Sequence, residues 1–129
     1  LSRELERISN LLDAYYSDVT KSVKHNQVIA ELDKYVKDFA DSREGYQAVE
    51  HLVNECLDNI MDKLRAQVQS FKDEDYRLLC LIYADFSSNA ICMFMGYDKN
   101  KLYKHKSKLK SMLVSSKAED KALFIKHLR

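Results

Sequence analysis

Asp85-Phe86-Ser87-Ser88-Asn89-Ala90-Ile91-Cys92-Met93-Phe94-Met95-Gly96-Tyr97-Asp98-Lys99-Asn100-Lys101-Leu102 is a dense run of helix punctuation, and its reading decides the fold. Asp85 stands where the chain must turn sharply, and aspartate tolerates the left-handed backbone conformation better than most residues. Ser87 or Ser88 can cap a short helix running to about Met95. Gly96 ends that helix, and a new one begins after Asp98. The stretch therefore predicts two helices separated by a tight turn.

Upstream, Asp73, Glu74 and Asp75 place negative charge where the amino-terminal dipole of a helix favours it. Leu78, Leu79, Ile82 and Tyr83 give that helix an apolar face. Further back, Asp41, Ser42 and Glu44 form a start signal in which Asp41 serves the first-turn amides and Glu44 reaches back. The helix they open has a buried stripe of Tyr46, Val49, Val53, Cys56 or Leu57, Ile60, Leu64 and Val68. Gly45 costs up to about 1 kcal/mol inside a helix, so it can instead mark the preceding turn. Leu5, Ile8, Leu12, Tyr15 and Val19 recur three and four apart, a short coiled-coil-like seam. The rhythm falters over residues 22 to 27 and resumes at Val28, Leu32, Tyr35 and Phe39. Downstream, a last helix over Ala118 to Leu128 turns Leu123, Phe124 and Leu128 toward the rest.

Composition agrees with this pattern. The 129 residues are 46% hydrophobic and 32% charged, with no proline and only two glycines, too few turn residues for a strand-rich fold. The expected class is all-α. Net charge is +1, but residues 1–70 hold 9 Lys/Arg against 13 Asp/Glu while residues 71–129 hold 12 against 7. An acidic half followed by a basic half points to a polyanion meeting only the second.

Cys56, Cys80 and Cys92 lack paired spacing and sit in apolar runs, which predicts buried free thiols in a reducing compartment. No run approaches the roughly 18 to 20 apolar residues of a membrane span, and no secretory signal is present. The expected location is the cytoplasm. The chain opens at Leu1 without a methionine, so it reads as a piece of a longer protein that can carry a sensor, a repeat domain or a membrane anchor upstream.

The second helix of the opening stretch carries the functional signal. Leu102, Leu109, Met112 and Leu113 share one side and anchor it. Asn100, Lys101, Lys104, Ser107, Lys108 and Ser111 share the other. Six lysines and no acid lie between Lys99 and Lys110. Such density is unfavourable unless solvated or matched by a polyanion, and DNA phosphates supply one. A short helix, a tight turn and a longer basic helix meet the needs of a helix-turn-helix. Bases are read by edge-directed groups and phosphates by point charges. Asn100, Lys101, Lys104 and Ser107 are accordingly expected at bases, and Lys99, Lys106, Lys108 and Lys110 at phosphates.

Asp85 to Ile91 with Met95, Leu102 and His105 resembles the LuxR-type and sigma-factor-like helix-turn-helix pattern. The longer stretch from Asp73 to Lys110 resembles the carboxyl-terminal region of bacterial tetratricopeptide-repeat transcriptional regulators, with Leu52 to Arg65 similar to their connecting helix. The resemblance implies a DNA-binding transcription regulator. LuxR-type domains place glycine where Asp85 stands and polar residues where Met93 and Phe94 stand. Those two can leave an apolar patch for protein contact or pack against the last helix.

The expected organisation is long coiled-coil-like helices over 1–70, serving dimerisation or signal relay, followed by a DNA-binding helix-turn-helix bundle over 71–129. A homodimer is expected because one short module buries little surface on DNA. The alternative is a helix-turn-helix-like module that binds protein without sequence-specific DNA binding. No enzyme, cofactor or small-molecule substrate is expected. His51 and Cys56 project to different faces and lack a second pair of ligands for zinc. Asp58 and Asp62 have nothing beside them to tune one carboxyl for acid or base work. His105 lies at the edge of the anchored face, where it can touch a phosphate or pack.

Overall fold

The structure is a computed structural model that describes residues 43–128. The seam from Leu5 to Phe39, the turn near residues 22–27 and the start signal at Asp41 and Ser42 lie outside the described residues. Six α-helices and no strand occur among those described: α1 (Arg43–Cys56), α2 (Ile60–Gln67), α3 (Asp73–Tyr83), α4 (Ser88–Met95), α5 (Lys99–Ser115) and α6 (Lys121–Lys126). The all-α class expected from composition is what is found.

α1 and α2 replace the single helix that the apolar stripe predicts. Asp58 and Asn59 both adopt positive φ, 56° and 57°, and break the helix. Helical spacing could not reveal this, since Val49, Val53, Ile60, Leu64 and Val68 are buried as the stripe requires even across the break. Cys56, the last residue of α1, is exposed rather than buried; Cys80 and Cys92 are buried, and all three are free thiols.

The break is held by a side chain from the preceding turn. Asn54 Oδ1 accepts from the amides of Met61 at 2.9 Å and Asp62 at 3.4 Å, at the amino end of α2. Its own carbonyl accepts from the Asn59 amide at 2.9 Å. Asn54 thus does the work of a helix cap that Asn59, in the left-handed region, does not perform. Asn54→Ala is expected to destabilise the domain by about 1 kcal/mol. Thermal denaturation should show a midpoint lower by about 4 °C. Asn54→Asp retains the acceptor but replaces the donor that serves Asp62 at 3.3 Å with a like charge, so it should not recover the loss at neutral pH.

α3 is the centre of the fold. Tyr76 and every residue from Leu78 to Tyr83 are buried, and the helix packs against α1, α2 and α4. Its two tyrosine hydroxyls are satisfied by backbone carbonyls, Tyr76 donating to Val68 at 2.6 Å and Tyr83 to Phe124 at 2.9 Å. Buried polar groups without such partners would oppose folding. Both bonds reach other parts of the chain, so α3 is stitched to the end of α2 and to α6. α2 and α6 are joined directly as well: the Asp120 amide donates to Gln67 Oε1 at 2.8 Å, and Gln67 Nε2 returns a bond to the Asp120 carboxylate. One core therefore runs from Val49 to Phe124, with contributors on both sides of residue 70.

The punctuation of the opening stretch is seen in place. Asp85 has φ 67°. Ser87, not Ser88, caps α4, its Oγ accepting from the Ala90 amide at 3.1 Å. Gly96 closes α4 at φ 68°, and Asp98 Oδ1 caps α5 by accepting from the Lys101 amide at 2.7 Å. α5 then packs between α4 and α6. α6 is shorter than the expected Ala118 to Leu128, with Phe124 fully buried and Leu123 and Leu128 partly so. No helix among the described residues is long and apolar enough to cross a membrane.

Candidate functional site

α5 is anchored on one side and open on the other. Leu102, Leu109 and Leu113 are buried and Met112 is partly buried against them. Asn100, Lys101, Lys104 and Ser107 are all exposed, as are Lys99, Lys108 and Lys110. Lys106 is half-buried and engaged with neighbours. The sequence-predicted residues thus share one helix, but they do not form a single cluster. Asn100, Lys101, Lys104 and Lys108 gather with Asp98 and His105 around an open depression of about 450 Å³. Lys99 and Lys110 lie outside it.

The charge on this face is not cancelled locally. Ion pairs among the described residues include His51 with Glu55, Lys63 with Asp58, Arg65 with Glu50 and His105 with Asp75. Lys99, Lys101, Lys104, Lys108 and Lys110 make no ion pair with a described carboxylate. Lys101 instead places its ammonium 4.5 Å from the centre of the Tyr97 ring, a cation–π contact that leaves its charge available.

Behind the depression lies a polar network that the sequence did not reveal. His105 Nε2 is 2.6 Å from Asp75 Oδ1, and its Nδ1 is 2.9 Å from the Tyr97 hydroxyl. The Tyr97 hydroxyl also meets Glu74. Three contacts thus link four side chains, and with both carboxylates ionised they need three hydrogens. Tyr97 supplies one, so all three bonds form together only when each ring nitrogen of His105 carries a hydrogen.

Asp75 is further held by the Lys72 amide, which donates to Oδ2 at 2.9 Å. Burial disfavours its ionised form, but the Lys72 amide and His105, aided by the nearby Lys108 charge, outweigh that and hold the carboxyl below its ordinary value. Burial and then Glu74 push the Tyr97 phenol well above its ordinary value, so its proton stays on. The arrangement binds α5 to the first turn of α3. His105 is a structural strut, with both ring nitrogens already occupied.

The acidic triplet Asp73, Glu74 and Asp75 does begin a helix. What spacing could not show is that Glu74 reaches Tyr97, 23 positions on, and Asp75 reaches His105, 30 positions on. Other candidates are accounted for by ordinary contacts. His51 pairs with Glu55 at 2.8 Å, Asp58 with Lys63 at 2.8 Å, and Asp62 accepts from Asn54 at 3.3 Å. Among the described residues no group of three or more His, Cys, Asp or Glu side chains is placed to hold a metal ion.

Comparison with known families gives one finding. The family model of C-terminal domain 6 of the ABC-three component (ABC-3C) systems matches residues 4–120. No curated protein and no solved structure matches the chain. The match overturns the resemblance to LuxR-type and sigma-factor-like domains and to tetratricopeptide-repeat regulators. Two capped helices with a tight turn between them are local features that unrelated helical domains share, so the pattern from Asp85 to His105 was not diagnostic. Regulation of transcription was implied by that resemblance, and the family match does not support it.

Proposed function

The chain belongs to the family of C-terminal domain 6 of the ABC-three component systems, and from that premise we propose that it is a binding domain joining its own protein to another component of such a system. The observation that carries this reading is the surface of α4. Its eight residues, Ser88 to Met95, include no charged side chain. Ala90, Ile91 and Cys92 point into the core, but Met93, Phe94 and Met95 are only partly covered. Phe94 is fixed from below by Phe86, ring centres 5.2 Å apart. Methionines are unbranched and polarizable, and they adapt to a partner at modest cost. An uncharged helix ending in half-open apolar side chains supports protein contact, and membership of a family from multi-component systems favours another component as the partner.

The test is co-expression with the other components of the system, followed by size-exclusion chromatography. The wild-type protein should co-elute with one of them. Met93→Glu together with Met95→Lys should abolish co-elution while leaving the melting temperature within a few degrees. Elution of the wild-type protein apart from every component would reject the reading. So would self-association through α4, lost in the same double variant, which would make a second copy the occupant.

A further inference from the structure

We propose that the outward face of α5 is a second binding surface, one that takes the phosphate backbone of double-stranded DNA. This goes beyond the component-joining reading and rests on a different helix. The argument begins with how the lysines are distributed. At 3.6 residues per turn, Lys101, Lys104 and Lys108 follow one edge of the exposed face. Lys99 and Lys110 follow the opposite edge. Between them runs a strip of Asn100, Tyr103, Ser107 and Ser111, uncharged and exposed.

Two rows of positive charge flanking a neutral polar strip match a groove flanked by two phosphate strands. The dimensions agree. A helix of 17 residues is about 25 Å long and with its side chains roughly 10–12 Å across. The major groove of B-form DNA is about 12 Å wide. The inner side of α5 is fixed by Leu102, Leu109 and Leu113, and by the His105–Asp75 strut at 2.6 Å. Little conformational freedom is therefore lost when the face engages.

The lysines discriminate between an acidic protein and a nucleic acid. Lysine is depleted from the cores of protein interfaces because its ammonium is costly to dehydrate, whereas phosphate contacts form with counterion release. The face also lacks any acid between Lys99 and Lys110, so nothing on it repels phosphate. Asp98 lines the depression with one oxygen committed to capping α5, and Asp75 and Glu74 behind it are already engaged by His105, the Lys72 amide and Tyr97.

The experiment is a fluorescence-anisotropy titration of the full chain against a labelled 24-base-pair duplex of mixed sequence, in steps from 50 to 200 mM KCl. With four to five phosphates engaged, each doubling of salt should weaken binding about 10- to 20-fold. Lys101→Glu with Lys108→Glu should weaken binding at least 10-fold, while Lys126→Glu on α6 should change it less than 2-fold. If the double variant melts early, Lys104→Glu, whose side chain supports no neighbour in the fold, carries the same test. Salt-independent binding would overturn the proposal, as would undiminished binding by a folded variant. Equal affinity for poly-glutamate of matched charge would overturn it in favour of an acidic protein partner. None of these results bears on α4 and its co-elution test.

Discussion

Phe86→Ala will destabilise the domain by about 3–5 kcal/mol. Phe86 is fully buried although it lies in the turn between α3 and α4. It enters that turn directly after Asp85, whose positive φ of 67° swings the chain inward. Its amide is held by the Leu81 carbonyl at 3.3 Å, and its ring supports Phe94. Truncation would leave a ring-sized void beneath α4, and the capped ends of α4 limit how far that helix can sink to fill it. A loss of this size is a large share of the roughly 5–15 kcal/mol that holds a domain together. Urea unfolding should show a lower midpoint with an unchanged slope. A loss below about 1 kcal/mol would mean that the turn collapses freely and that Phe86 does not set the position of α4.

The next largest effect is expected at Asp75. Asp75→Ala removes the acceptor of both the Lys72 amide and His105, and leaves an imidazole in a setting where its side chain is only 12% exposed. Breaking a buried pair from one side costs about 3–5 kcal/mol. The remaining solvent access brings the expectation for Asp75 to about 2–4 kcal/mol. Acid should act on the same group. The Asp75 carboxyl is held below its ordinary value in the fold. Its contribution is therefore complete above the unfolded value of about 4 and is lost as pH falls below it. The melting temperature of the wild-type chain should drop as pH falls from 5 to 2.5. Asp75→Asn, which can still accept from Lys72 but carries no charge, should start lower at pH 7 and fall less steeply. An Asn variant with the wild-type acid profile would show that the charge of Asp75 contributes nothing.

Local chemistry was legible in the sequence and tertiary chemistry was not. Ser87, Gly96 and Asp98 act within three or four residues of themselves, so the ends of α4 and the start of α5 could be read directly. The anchors Leu102, Leu109 and Leu113 were legible because a helix repeats its buried side regularly. The break at Asp58–Asn59 was hidden because the cap that permits it, Asn54, works from inside the preceding helix. The His105 strut depends on α3 and α5 coming together, which no periodicity encodes. The candidate basic face was readable as a charge pattern, but family membership was not, since helix caps record how a chain turns and not what it belongs to.

The division of α5 between anchors and exposed residues has a consequence for divergence. Leu102, Leu109 and Leu113 never share a position with Asn100, Lys104, Ser107 or Ser111. Exposed substitutions usually change stability by no more than about 0.5 kcal/mol. A lineage could therefore rewrite the outer face of this helix residue by residue, exchanging one set of contacts for another, without passing through an unstable ancestor. α3 has far less freedom, because all but three of its eleven positions are buried.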